Sequence, residues 1–208
     1  MDLLSLGAAA LIPFTLTCFI IELTPGPNMA YLAVVSASEG RKPGMATVAG
    51  IALGLAIVGA AASFGVAEFV ARSDALYGVL RWAGVGFLLY LAYDAWRDGT
   101  AAAEPTGKTP AFYFRRGLFT NLLNPKAALF FVTVLPSFIV PDRPLLAQNL
   151  TLSTIYVGVA TVVHMTIVLL ASTLEPVLNS PSRERMVRRG LALLLAAVAI
   201  WFAWTTRR

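Results

Sequence analysis

The chain has almost none of the residues that build metal centres. Cys18 is its only cysteine and His164 is its only histidine. A single cysteine excludes an intrachain disulfide, and thiolate or paired-histidine metal sites need more ligands than these two residues supply. The sequence also lacks a glycine-rich phosphate loop and a Gly-x-Ser-x-Gly elbow. It therefore predicts no cofactor and no ATP hydrolysis by this chain, and Cys18 is expected to have a packing role.

Charge is also scarce. Charged residues make up 13% of the 208 residues and hydrophobic residues 58%, whereas soluble domains are about 25% charged. The mean hydropathy is +0.74. Apolar stretches long enough to cross a bilayer predict an all-α integral membrane protein with six transmembrane helices. The six spans are 8–35, 44–70, 75–96, 112–140, 148–174 and 188–205.

The basic residues lie mostly in alternate loops, beside the ends of spans. Because cytoplasmic loops are enriched in Lys and Arg, loops 1–2, 3–4 and 5–6 are predicted to be cytoplasmic and both termini non-cytoplasmic. This placement also accounts for the net charge of +5 without a nucleic-acid partner. The residues in these three loops are Arg41, Lys42, Arg97, Lys108, Arg115, Arg116, Arg183, Arg185, Arg188 and Arg189.

Two short motifs interrupt the first and fourth spans. They are Thr24-Pro25-Gly26-Pro27-Asn28 and Asn121-Leu122-Leu123-Asn124-Pro125-Lys126. Proline inside a helix frees the carbonyl four residues earlier, so Ile21, Leu23 and Asn121 are expected to have free carbonyls. At membrane depth such backbone is tolerated where protein or a cavity satisfies it. Thr24 and Asn124 are suitable N-caps, each followed by proline at the first helical position, and each motif is predicted to start a half-helix.

The two motifs occupy corresponding places in the two halves of the chain, 1–104 and 105–208. Both closing spans also carry an arginine fifteen residues before a tryptophan, at Arg81 and Arg189. Since each half has an odd number of spans, the halves form an inverted repeat, which in secondary transporters places the site near the membrane midplane. The half-helix N-termini would face each other and attract a carboxylate.

Several polar residues beside the breaks are candidate substrate ligands. Lys126 could bind the carboxylate, or its stem could carry the ammonium to the membrane surface. The amides of Asn28, Asn121 and Asn124 could bind a substrate ammonium or carboxylate, or could serve as caps and interhelical hydrogen bonds.

Two titratable residues are candidates for proton coupling. Glu22 lies one turn before the first break, and an acid at membrane depth suggests proton relay or cation pairing; the alternative is a structural pair with Lys126. His164, in the fifth span, is a candidate for the same role or a core residue with satisfied hydrogen bonds.

With these motifs the chain resembles the LysE/RhtB superfamily of bacterial amino-acid exporters over nearly its whole length. The resemblance is carried by Thr24 to Met29, Glu39 to Gly44, Gly50 to Gly54, Arg81 to Tyr93 and Phe114 to Ala127. It implies export of homoserine, threonine or other neutral amino acids across the bacterial inner membrane by proton antiport. It also implies that the protein can associate with copies of itself. The site residues it implies are Pro25, Gly26, Pro27, Asn28, Asn124, Pro125 and Lys126; Glu22 rests on the membrane argument alone.

Two other classes of protein stay open at this stage. A membrane-embedded enzyme acting on a lipid needs clustered acids or a nucleophile beside a base, and the sequence contains neither pattern. A channel or regulatory subunit would use the same spans without building a substrate gradient.

Overall fold

The described part of the chain is helical throughout. The computed structural model describes residues 7–23, 26–65, 73–98, 108–140, 143–173 and 181–205, and within them there is no strand. After the short helix Pro125–Leu129 the chain continues as a π-helical turn, Phe130–Val134, and a 3-10 turn, Leu135–Phe138. The helices are α1 (Gly7–Leu23), α2 (Pro27–Glu39), α3 (Arg41–Ser63), α4 (Asp74–Asp98), α5 (Pro110–Leu122), α6 (Pro125–Leu129), α7 (Leu145–Ala171) and α8 (Pro181–Thr205).

Three helices are long and apolar enough to cross a bilayer by themselves, namely Arg41–Ser63, Asp74–Asp94 and Leu145–Ala171. Two further spans are possible if each bent pair of helices counts as one, which gives up to five in the described residues. The sixth expected span, 188–205, falls in α8, whose apolar stretch Ala192–Trp201 is shorter than a full crossing. The fold is therefore that of a multi-pass membrane protein.

Both predicted helix breaks are present. Leu11–Leu23 and Pro27–Glu39 meet at 60°, and Pro110–Leu122 and Lys126–Phe138 meet at 51°. The start predicted for the first half-helix is wrong, because α2 begins at Pro27 after Gly26 in an extended conformation. Pro27 rather than Pro25 takes the first helical position, where its missing N–H is not needed. Thr24 and Pro25 themselves lie outside the described residues.

Glycines let α3 and α5 pack backbone to backbone. A Cβ at Gly50 would collide with the Phe114 carbonyl oxygen, and one at Gly117 would collide with the Thr47 carbonyl oxygen. At Gly54 an added Cβ would lie 2.9 Å from the Asn121 side chain. Gly50 and Gly54 therefore have a packing role. This close contact fixes the helix that carries Asn121 against α3.

The outer surface of the helix bundle is apolar. Ile20 on α1, Leu170 on α7 and Ile200 on α8 are each about two-thirds exposed, at 67%, 67% and 65%. Apolar surface of this extent on several helices is suited to lipid rather than water. The interior holds the polar side chains instead, including Glu22, Asn121 and His164.

Two boundaries differ from the sequence expectation. The second span was expected to continue to residue 70, but α3 ends at Ser63, where the Phe64 N–H bonds back to the Ala61 carbonyl and the Gly65 N–H to the Ala62 carbonyl. The last helix was expected to begin at residue 188 and begins at Pro181. The turn between α2 and α3 consists of Gly40 alone, at φ 88°, which favours glycine because it has no Cβ.

Candidate functional site at the two helix breaks

The two broken helices meet through a pair of buried asparagines. Asn28, in the first turn of α2, donates from Nδ2 to Asn121 Oδ1, at the end of α5, over 2.9 Å. Asn28 is 7% exposed and Asn121 is fully buried. Asn28 Oδ1 and Asn121 Nδ2 are buried and have no hydrogen-bond partner among the described residues. The pair fixes the two breaks side by side and leaves one acceptor and one donor unused.

The second break is capped as the sequence predicts. Asn124 precedes α6 with an extended backbone, and its Oδ1 accepts a 3.0 Å hydrogen bond from the Lys126 N–H. Pro125 occupies the first helical position. The Asn121 carbonyl, expected to be freed by Pro125, accepts a 2.9 Å bond from the Asn124 N–H. The break therefore satisfies its own backbone groups and leaves the Lys126 side chain available for another role.

The Lys126 ammonium lies at the other break. Its Nζ donates a 2.9 Å hydrogen bond to the main-chain carbonyl of Ile21, in the last turn of α1. Ile21 O is the carbonyl that Pro25, four residues later, cannot bond. Lys126 is partly buried. A lysine that snorkels to the membrane surface would not make this contact, so the snorkelling interpretation is wrong.

Glu22 is held by two side chains of α7. The Tyr156 hydroxyl donates to Glu22 Oε1 over 2.7 Å, and His164 Nε2 lies 3.3 Å from Glu22 Oε2. Glu22 is 5% exposed and His164 is 1% exposed. The His164 contact becomes an ion pair only if the imidazole is protonated, and Nε2 makes no regular hydrogen bond. The three residues form a buried acid, hydroxyl and imidazole cluster in which a proton can move.

Tyr156 is the member of this cluster that the sequence analysis missed. It lies eight residues before His164 on α7, and eight residues are close to two helical turns, so both side chains share one face. That spacing was the available signal. An isolated tyrosine in an apolar helix carries no information about its partner, because Glu22 is 134 positions away in sequence.

A small cavity joins these groups. Its volume is about 10 Å³, which is room for about one water molecule, so an amino acid can enter only if the helices move apart. Pro27 begins α2 beside it, and Pro25 lies outside the described residues. The lining residues are Glu22, Gly26, Asn28, Met29, Asn124, Lys126, Ala127, Tyr156 and His164.

The comparison with known protein families decides the class of protein. The profile of the LysE type translocator family matches residues 19–206. The chain belongs to this family. It is therefore a membrane translocator and not an enzyme, which removes the enzyme alternative left open by the sequence. The matched range contains every candidate residue at both breaks.

The translocator is similar to two curated proteins over most of its length. The homoserine/homoserine lactone efflux protein of Salmonella typhimurium is 28% identical over 193 residues, covering 91% of this chain and 94% of the relative. An uncharacterized membrane protein of Vibrio cholerae is 28% identical over 172 residues, covering 81% of this chain and 84% of that protein. No solved structure matches the translocator.

Proposed function

We propose that the translocator exports small neutral amino acids, such as homoserine and threonine, or their derivatives, by secondary-active exchange for protons. The observation that carries the proposal is the buried polar cluster at the meeting point of two broken helices. Similarity to the homoserine/homoserine lactone efflux protein supports this substrate class. The bacterial relatives support placement in the bacterial inner membrane.

The substrate would bind at the two breaks as a zwitterion. The Lys126 ammonium exchanges its bond to the Ile21 carbonyl for the substrate carboxylate, which is a stronger, charge-assisted acceptor. Asn28 Oδ1, buried without a partner among the described residues, accepts from the substrate ammonium. Gly26, Pro27, Asn121, Asn124 and Pro125 shape and hold the two half-helices, and Pro25 belongs to the same motif.

Glu22 and His164 would carry the coupled proton. Burial favours the neutral form of an isolated carboxylate, while nearby cations and hydrogen-bond donors favour the charged form. Glu22 is subject to both effects. It is buried, but Lys126 and His164 line the same cavity and the Tyr156 hydroxyl donates to its carboxylate. When a bound substrate carboxylate attracts the Lys126 ammonium, the balance between the charged and neutral forms of Glu22 changes. Binding of substrate is thereby linked to the protonation of Glu22.

The packing of the helices supports the inverted repeat with units 1–104 and 105–208. If α1 is exchanged with α5, α2 with α6, α3 with α7 and α4 with α8, several contacts of one half map onto contacts of the other half. The contact of α3 with α5 matches that of α7 with α1, and α2 with α8 matches α6 with α4. Three spans in each unit make six in total, which places both termini on the same side of the membrane. The distribution of Lys and Arg makes that side the non-cytoplasmic one, and self-association is compatible with the apolar outer surface.

Counterflow in proteoliposomes tests the proposal. Purified translocator is reconstituted in vesicles loaded with unlabelled homoserine, threonine, alanine, lysine or glutamate, and uptake of labelled homoserine is followed. We expect transient accumulation with the neutral amino acids and little with lysine or glutamate. A channel would equilibrate the label without an overshoot, and that result would reject the exporter. Empty vesicles and the Lys126→Met variant are the controls.

A further inference from the structure

A second and much larger cavity lies between α3, α7 and the irregular segment that follows α6. Its volume is about 340 Å³, compared with about 10 Å³ at the helix breaks, so it has room for a small amino acid without any helix movement. We call this cavity the chamber. Its lining residues are Gly59, Ala62, Ser63, Gly65, Phe131, Val132, Leu135, Pro136, Ile139, Leu145, Asn149 and Ser153.

An aromatic cluster separates the chamber from the cavity at the breaks. Phe130 stacks on Tyr156 with ring centroids 3.7 Å apart, and Phe131 packs edge-on against Tyr156 at 5.6 Å. Phe131 lines the chamber, whereas Tyr156 lines the cavity at the breaks and donates to Glu22. A Cβ at Gly59 would lie 2.9 Å from Phe131 Cζ. The ring therefore occupies space that only glycine leaves open.

The irregular backbone beside the chamber has a clear cause. Pro136 has no N–H to donate to the carbonyl of Val132, so the regular helical pattern fails there. The Leu135 N–H instead bonds to the carbonyl of Phe130, five residues back, as in a π-helix. Turns of this type occur frequently at functional sites, and this one carries two of the three aromatic rings of the partition, Phe130 and Phe131.

The polar groups of the chamber are neutral. Ser153 is 7% exposed, and its Oγ is buried without a hydrogen-bond partner among the described residues. Asn149, one turn earlier on α7, adds an amide. None of the described lining residues is charged. A cationic side chain would find no acid among these residues, so the chamber favours a ligand with a neutral side chain over one with a cationic side chain.

We propose that the chamber is a second substrate site, on the exit side of the aromatic partition, which takes neutral amino acids or their uncharged derivatives and rejects cationic ones. The proposal rests on the proposed function for the identity of its occupant. The substrate passes from Lys126 and Glu22 into the chamber when the Phe131 ring moves off Gly59. Ser153 Oγ then forms the hydrogen bond that it lacks in the closed arrangement.

Labelling of cysteines introduced into the chamber tests the proposal of a second substrate site. Ala62→Cys is built in a Cys18→Ala background, with Leu145→Cys as a second chamber variant, and each is reconstituted in proteoliposomes. Labelling by N-ethylmaleimide is followed by mass spectrometry with and without homoserine. We expect labelling in both variants, slowed about tenfold when homoserine is at ten times its dissociation constant. The same concentration of lysine should leave the rate unchanged.

The matched control is Ile57→Cys, on the same helix as Ala62 but 44% exposed on the outer surface and absent from the chamber lining. Its labelling should not depend on homoserine. Equal protection by homoserine and lysine, or no protection in variants that carry out counterflow, overturns the chamber proposal and leaves the proposed function standing. Absence of counterflow in the wild-type protein rejects the proposed function, and the chamber proposal with it.

Discussion

The Lys126 ammonium donates a 2.9 Å hydrogen bond to the main-chain carbonyl of Ile21, 105 positions away in sequence. The contact joins the start of one half-helix to the end of the helix before the other break. It satisfies a backbone group that proline leaves without a donor, and it keeps a cation beside Asn28 and Glu22 in the same cavity. A substrate carboxylate can therefore compete for a cation that is already in place.

Replacing Lys126 with methionine should weaken substrate binding. Hydrogen bonds to charged groups contribute about 1.5–3 kcal/mol, so the half-saturating homoserine concentration in counterflow should rise about tenfold or more. The matched control is Lys108→Met, two residues before α5, where the ammonium lies over the Phe112 ring at 5.5 Å. It should change the half-saturating concentration little. An unchanged half-saturating concentration in correctly inserted Lys126→Met protein contradicts the anion-binding role.

Replacing Asn124 with alanine should remove the cap of α6. The lost hydrogen bond to the Lys126 N–H should cost about 1 kcal/mol of stability, read as a lower melting temperature in detergent. Asn124→Ser can still cap the helix and should retain most of that stability. If the alanine and serine proteins melt at the same temperature, the cap does not stabilise the break.

Replacing Gly50 with alanine should force α3 away from α5. The added methyl group collides with the Phe114 carbonyl, and overpacking of this kind costs about 1–3 kcal/mol. Gly158→Ala on α7 is the matched control, because nothing lies within 4 Å of its added Cβ. Melting measurements should therefore separate the two variants, and equal stability is the result that argues against backbone-to-backbone packing of these helices.

Both chain termini are predicted to lie outside the cytoplasm, from the distribution of Lys and Arg among the loops. Alkaline phosphatase fused after Arg208 should be active, and a fluorescent protein at the same position should be dark. The reverse pair of results would place both termini in the cytoplasm and invert the assignment of the chamber to the exit side.

Local backbone chemistry was the most predictable part of the site. The cap at Asn124 follows from an asparagine before proline. That the Ile21 carbonyl needs a donor other than the backbone N–H four residues later follows from Pro25. Two prolines flank Gly26, however, and either suits the first turn of a helix. The sequence therefore placed the start of α2 two residues early, at Pro25 instead of Pro27.

Long-range partners were not predictable from one sequence. Glu22 was expected either to carry protons or to pair with Lys126, and the structure adds Tyr156 and His164 from α7 as its contacts. These pairings depend on how α1 and α7 rotate about their axes as they pack. Neither helix has its polar residues gathered on one face, so periodicity does not fix which face each one buries.

Proton coupling through Glu22 is the central claim, and a pH step in proteoliposomes tests it most directly. With one proton exchanged for each substrate, a pH step of about one unit should drive about tenfold accumulation of labelled homoserine by the wild type. Glu22→Gln should retain homoserine exchange at equal pH and lose this accumulation. If the Glu22→Gln protein still accumulates homoserine in response to the pH step, Glu22 is not the proton carrier, and His164 becomes the residue to test.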